Sequence, residues 1–357
     1  MDTFAFHVVI LGTFHHSPFT SLRFPGVNMC NRFMQPLRVF VQWLFLFFII
    51  RMGIEFYRFV LYCRGESAVY ISRPDGIEGF LPISALVSVR GWFLTGEINS
   101  IHPAGRVIFL TIVGLSFLLK RSFCSWLCPV GTLSEVCWKG GFRLFRRNVR
   151  LPSWLDTSLR GIKYLLLLFF LVSILMLMVP GSVISFISSD YNKVADIRML
   201  DFFLRPSLFS LGVMGILVAF SFPVKNFFCR FLCPYGALLG IVSMLSPVKV
   251  TRDKDLCVSC GVCNQLCPSH LPVMESERLH SPECIGCWRC IAHCRVHGAL
   301  AMTLPGGKVA IPGLIFALLV VLLFWGGSVV GKVTGHWQTS IPFQEYQILS
   351  RDPTIHH

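Results

Sequence analysis

Apolar residues run almost unbroken through five stretches of this chain, at about 39 to 62, 104 to 120, 162 to 186, 207 to 226 and 309 to 331. Each is near the roughly 20 residues a helix needs to cross the hydrocarbon core of a bilayer, so the pattern predicts five transmembrane helices. Polar positions gather between them. The connection after the second stretch carries Lys120, Arg121, Lys139, Arg143, Arg146, Arg147, Arg150 and Arg160 against Glu135 and Asp156. The connection after the third balances Lys193, Arg198 and Arg205 against Asp190, Asp196 and Asp201. Lys and Arg accumulate in cytoplasmic loops. The N-terminus, preceded into the membrane by Arg32 and Arg38, is therefore expected inside, with the polar segment between the fourth and fifth helices. The tail from Lys332 to His357 is then expected outside.

That polar segment holds two cysteine runs, Cys257-x2-Cys260-x2-Cys263-x3-Cys267-Pro268 and Cys284-x2-Cys287-x2-Cys290-x3-Cys294. Thiolates at this spacing bind two cubane [4Fe-4S] clusters, the fourth cysteine of each run reaching the neighbouring cluster. The expected ligand sets are Cys257, Cys260, Cys263 and Cys294 for one cluster, and Cys284, Cys287, Cys290 and Cys267 for the other. Zinc sites rarely stack three cysteines two apart, and a disulfide framework gives no reason for two matching runs. Trp288, Arg289 and His293 lie among the ligands of the second run and Arg295 follows it where Pro268 follows the first. Added positive charge is expected to raise the potential of the second cluster above that of the first.

Composition agrees with a membrane protein carrying a bacterial-type ferredoxin. Of the 357 residues, 54% are hydrophobic, 14% are charged and 33 are Phe, a balance foreign to an ordinary soluble domain. The net charge of +14 sits beside apolar stretches, which fits membrane orientation and argues against a nucleic-acid partner. Cluster thiolates must stay reduced, which again puts the cysteine-rich segment on the cytoplasmic side of a bacterial inner membrane. The fold class expected is an α-helical integral membrane protein with an inserted α+β 2[4Fe-4S] ferredoxin. Its parts are an uninformative segment 1–35, a membrane domain 36–248, the ferredoxin 249–308, a fifth helix 309–331 and an extracytoplasmic tail 332–357. Residues before Arg23 carry no positive charge and show no signal-peptide pattern, and Met29 and Met34 are alternative starts.

At the inner ends of the second and fourth predicted helices the sequence repeats as Phe-Cys-x-x-Leu-Cys-Pro-x-Gly, once through Cys124, Cys128, Pro129 and Gly131 and once through Cys229, Cys233, Pro234 and Gly236. Cysteines four apart share one helical side, and the proline marks where the next helix begins. Related repeats in membrane proteins face one another across a pseudo-symmetry axis. The four thiols are therefore candidates to converge as a further metal or cluster site. A redox-active dithiol pair and a purely structural role are the alternatives. Phe80-Leu81-Pro82 resembles a third copy, with Leu81 in place of the second cysteine. Cys30, Cys63 and Cys137 fit no run and read as small hydrophobes, buried or facing lipid, and not as ligands.

Together, the two Cys-x3-Cys-Pro motifs and the ferredoxin runs resemble the NapH/NosR/MauN group of polytopic membrane iron-sulfur proteins, over roughly residues 36 to 305. The chain departs from that group in lacking a flavin-binding domain of the NosR kind and in having a fifth helix with an outward tail. The resemblance implies a quinol dehydrogenase subunit or electron conduit, linking the quinone pool to a protein partner in a respiratory complex. An assembly or redox-sensing protein that uses the Cys-x3-Cys-Pro thiols is the rival reading. Quinol oxidation releases protons that a cluster cannot take, so carboxylates or histidines must handle them. The candidates are Glu55, four residues from Arg51 in the first helix, and Glu78, Glu97 and His102 on the outer side. Structural roles for Glu55 as an ion pair and for His102 as a hydrogen-bonding group compete with this. His336 beside Trp337 reads as an interfacial anchor, and no histidine pair suggests an intrinsic haem b.

Overall fold

The computed structural model describes residues 29–96, 98–306 and 309–351. Glu97 and the side chain of Cys30 lie outside the described residues. The helices are, in order, α1 (Met29–Arg64), α2 (Pro82–Thr95), α3 (Pro103–Leu119), α4 (Phe123–Trp126), α5 (Pro129–Phe145), α6 (Ser153–Val172), α7 (Pro180–Ser188) and α8 (Asp190–Lys193). Then come α9 (Ala195–Leu204), α10 (Leu208–Ser221), α11 (Phe227–Phe231), α12 (Pro234–Met244), β1 (Lys249–Arg252), α13 (Val262–Leu266), α14 (Arg289–Ala292), β2 (Leu300–Thr303), α15 (Gly313–Val333) and α16 (Phe343–Arg351).

Among the described residues, three helices are long and apolar enough to cross a membrane: Phe33–Arg64, Ser153–Leu177 and Gly313–Val333. The pair α9 and α10, bent by 76°, counts as a fourth when taken as one broken span. The bend falls at Arg205-Pro206, where the proline ring forbids continuous helix. The second predicted stretch is a helix of only 17 residues, about 25 Å long, and it packs against α2, α12 and α15, leaving Leu110, Phe117 and Leu118 exposed. Its first turn lies beside Glu78, and Lys120, just past its last residue, reaches Leu279, so it connects the two ends of the bundle all the same. The third predicted stretch ends early. Beyond Val172 the helix widens into a π turn over Ser173–Leu177, and the extended Val179 precedes a new helix at Pro180.

Among the described residues, five helices begin on proline after an extended or irregular residue: α2, α3, α5, α7 and α12. The starts of α2, α3 and α7 lie at one end of the bundle and those of α5 and α12 at the other. At the end far from the ferredoxin, α2 packs on α7 through Val87 and Val183. The Phe80-Leu81-Pro82 copy is the start of α2 and lies at this far end.

The ferredoxin segment is anchored by β1 and β2, antiparallel with Lys249 opposite Thr303 and Arg252 opposite Leu300. It does not hang free of the bundle. One apolar core runs from Met34, Phe45 and Leu115 through Trp126 and Phe316 into Trp288, Leu271 and Met302. Polar contacts reinforce the join: Gln35 Nε2 donates to the Cys287 carbonyl at 2.9 Å, Trp126 Nε1 to that of Gly286 at 3.1 Å, and Lys120 Nζ to that of Leu279 at 3.3 Å. At the far end the tail folds back, α16 seating Tyr346 and Leu349 against Phe59 and Cys63 of α1.

Candidate functional site: three cysteine sets and a buried ionic cluster

Local backbone accounts for the first cysteine set. The left-handed Gly261 turns the chain into α13, and Cys257, Cys260, Cys263 and Cys294 line one cavity of about 320 Å³ whose other walls are largely apolar, with Met274, Val296 and Leu300 among them. Burial pushes the Cys294 thiol up, and the nearby Cys260 and Cys257 sulfurs push the same way. Cys260 is exposed, so this set opens to solvent.

The second set is enclosed. Burial raises Cys267 to about 12, with Cys287 and Cys284 adding to it, and burial likewise pushes Cys290 well above its ordinary value beside Cys287, Cys267 and Cys284. Cys263 also acts on Cys290, which joins the two sets. Arg38 and Arg289 face Cys287 from outside.

A carboxylate hub holds that face. Glu135 of α5 accepts from buried Arg38 at 2.8 Å on each oxygen, from Arg289 at 2.5 Å and from Lys139 at 2.6 Å. Burial alone would raise its pKa, but the Arg38 hydrogen bonds and the surrounding cations outweigh this and hold it well below the usual carboxylate range. A second network sits beside Cys284. Glu283 meets Lys163 at 2.6 Å, Tyr164 at 2.8 Å and Arg121 at 3.7 Å.

The two Cys-x3-Cys-Pro motifs fold alike. The Phe123 carbonyl accepts from Leu127 and Cys128 at 3.0 and 2.9 Å, and the Phe228 carbonyl from Leu232 and Cys233 at 2.9 and 3.0 Å. Gly131 lets α5 start against the Cys124 carbonyl, where any Cβ would overlap it. The four sulfurs converge. Burial raises Cys229 well above its ordinary value, and Cys233, Cys128 and Cys124 all add to the shift. A cavity of about 420 Å³ takes Cys124 and Cys229 in its wall with Arg121, Glu135 and Glu283. Arg121 is buried beside Cys124, Cys233 and Cys229, and its Nε has no hydrogen-bond partner. A cation so placed fits an anionic thiolate-bound group. Ser125, next to Cys124, donates to the Ile285 carbonyl at 2.5 Å, which ties this quartet to the second set. Among the described residues, no three His, Cys, Asp or Glu side chains stand close enough to hold a single metal ion.

At the far end the structure brings Glu78 and His102 together in a buried ionic cluster with Arg73 and Asp196. Arg73 contacts Glu78 at 3.1 Å and Asp196 at 2.8 Å, and the Gly105 amide donates to Glu78 at 3.1 Å. His102 Nε2 lies 2.6 Å from the Asn192 carbonyl and Nδ1 lies 3.4 Å from Glu78. Both ring nitrogens thus face acceptors, an arrangement that favours the imidazolium. Burial lowers the His102 pKa, but the Glu78 contact outweighs it and the net direction is up; Glu78 is lowered in turn. Glu55 is not part of this cluster. It pairs with Arg51 at 3.3 Å on the exposed side of α1. Arg73, Asp196 and Tyr346, whose ring lies 5.6 Å from the Arg73 guanidinium, complete the site without any sequence spacing to announce them. Trp337 is buried over Gly331 instead of sitting at an interface, and Cys63 is buried beneath α16.

A family described as a 4Fe-4S binding domain matches residues 101–152 and 207–252, the two Cys-x3-Cys-Pro regions, and one described as a 4Fe-4S dicluster domain matches residues 249–295. YccM of Escherichia coli, named as a candidate electron transport protein, is 39% identical over 88% of this chain and 90% of its own. The ferredoxin-type protein NapH of Haemophilus influenzae is 27% identical over 60% of this chain and 71% of its own. The methylamine utilization ferredoxin-type protein MauN of Methylorubrum extorquens is 27% identical over 54% and 62%. No solved structure matches.

Proposed function

Since the chain belongs to the family of NapH- and MauN-type membrane 4Fe-4S ferredoxin proteins, with electron transport as its role, we propose that it links the quinone pool to a protein redox partner through two [4Fe-4S] clusters. Cys257, Cys260, Cys263 and Cys294 would hold one and Cys284, Cys287, Cys290 and Cys267 the other. Cys124, Cys128, Cys229 and Cys233 would hold a third centre at the membrane edge. The observation that carries the reading is the continuity of the three sets: Ser125 hydrogen-bonds the loop of the second, and Cys290 of the second neighbours Cys263 of the first. A bound cluster accepts and returns single electrons without protons.

The surrounding residues have distinct tasks. Arg121 balances thiolate charge at the edge quartet, while Glu135 and Glu283 clamp the second run onto α1, α5 and α6. Arg38 and Arg289, only partly neutralised by Glu135, favour reduction of the second cluster over the first. The open first set is the face for the partner. The basic connection between α3 and α6 favours a topology with the ferredoxin in the cytoplasm and α16 outside.

Anaerobic iron and sulfide analysis, with EPR before and after a reduced quinol analogue, tests the reading. About eight irons per chain with quinol-dependent signals supports two clusters, and about twelve adds the edge centre. Substituting Cys128 and Cys233 by Ser should then remove about four irons and leave the ferredoxin signals. Clusters reduced by dithionite alone would reject the quinol link and favour the assembly or redox-sensing reading.

A further inference from the structure

Arg106 stands in the second turn of α3, 5% exposed, and among the described residues it has neither an ion-pair nor a hydrogen-bond partner. Its one neighbour of note is the Trp92 ring, 5.7 Å from the guanidinium. A buried cation in a membrane domain is costly unless something answers its charge, so such residues mark functional positions. Every other fully buried basic side chain named above has a carboxylate or carbonyl partner: Arg38, Lys120, Arg121 and Lys163.

Resting on the quinone reading above, we propose that Arg106 and Trp92 form the seat of a quinone head group. The guanidinium donates to a ring carbonyl and the indole covers the ring face. Access is from the lipid side, because Trp92 is 37% exposed and is followed by the open Phe93 and Leu94 at the end of α2. His102, one turn away at the N-cap of α3 and 3.4 Å from Glu78, supplies the polar end of the seat. On the other side, Phe109 stacks near Tyr235 with ring centroids 5.8 Å apart, and Tyr235 adjoins Cys124, Cys128 and Cys233. The head group would therefore sit on a packed path to the edge quartet. A phospholipid phosphate is the competing anion, but the flat indole cover and the near-complete burial suit an aromatic ring better than a headgroup in water.

The test is equilibrium binding of decylubiquinone and of a short-chain menaquinone analogue to the detergent-purified full chain. Wild type and Arg106→Gln are compared, with iron content and thermal midpoint as folding controls and co-purifying phospholipid phosphorus measured in parallel. A dissociation constant raised at least tenfold in Arg106→Gln, with iron unchanged, is the expected result. Unchanged affinity would overturn the seat while leaving the quinone reading standing, and no saturable binding to wild type would overturn both. Loss of bound phosphorus without change in quinone affinity would make Arg106 a lipid anchor and reject the proposal. If Arg106→Gln does not accumulate, Trp92→Ala decides: affinity weakened threefold or more supports the seat, and unchanged affinity refutes it.

Discussion

Replacing Glu135 by Gln keeps the shape of the hub and removes its charge. Arg38 is 1% exposed and has its two terminal nitrogens 2.8 Å from the carboxylate, with Arg289 2.5 Å away. At an effective dielectric of about 20, each such contact is worth about 6 kcal/mol before desolvation. Most of that offsets the cost of burying the ions, so the measurable quantity is the penalty for stranding one of them, about 3–5 kcal/mol. Lys139 is 43% exposed and adds no more than about 0.5 kcal/mol. Equilibrium unfolding in mixed SDS and dodecylmaltoside micelles should show this loss. The amides of residues 285–292, held by Arg289, should exchange about 10² to 10³ times faster. Arg38→Met together with Glu135→Leu should recover about 1–3 kcal/mol, because an apolar pair strands no charge. The contribution also carries a pH signature: with the folded pKa depressed, it is complete above the unfolded value near 4.3 and is lost as pH falls through the folded one. A loss below 1 kcal/mol in Glu135→Gln, or a double variant no better than the single, would refute the view that this hub fixes the second cysteine run.

Gly131→Ala should disrupt the edge quartet, since its Cβ would overlap the Cys124 carbonyl, whereas Gly236→Ala meets nothing nearer than 3.5 Å and should be tolerated; iron content of the two proteins compares them. Tyr164→Phe removes a 2.8 Å hydrogen bond to Glu283 and should cost about 1–2 kcal/mol in the micelle assay, with Lys163→Met worse. His102→Gln should flatten a pH dependence. The raised folded pKa of His102 contributes stability that is full below about 6.5 and fades as pH rises through the folded value, so wild type should lose thermal stability towards pH 9 while the variant does not.

What the sequence reveals here is governed by spacing. Cysteines two, three and four apart declare their roles because a tight loop or one helical face must bring them together, and a motif that occurs twice announces convergence. Ion pairs between distant positions leave no such trace. Arg38 and Glu135 are 97 residues apart, Lys163 and Glu283 120, and Arg73 and Asp196 123, so each reads as an isolated charge until the fold joins them. The Arg51 and Glu55 pair is legible from its spacing of four, but not its exposure, because α1 is apolar on every side and no polar stripe marks an outward face. Hydropathy also ran past real breaks. Val179-Pro180 ends one apolar run and Arg205-Pro206 bends another, and both prolines were the available signal. The packing of α3 against three other helices has no counterpart in its composition, since protein and lipid surroundings select the same apolar residues.

The continuous core between the ferredoxin and the bundle makes this chain a fixed relay and not a swinging arm. A domain on a flexible tether divides its time between donor and acceptor, and its throughput follows solvent viscosity and linker length. Here Gln35, Ser125 and Trp126 hold its second cysteine loop at residues 285–287, and Lys120 holds the segment before it at Leu279. These contacts leave no swinging arm to set a tempo, and in the proposed role the interval between electron arrivals is decided by how often a partner meets the open face at Cys260.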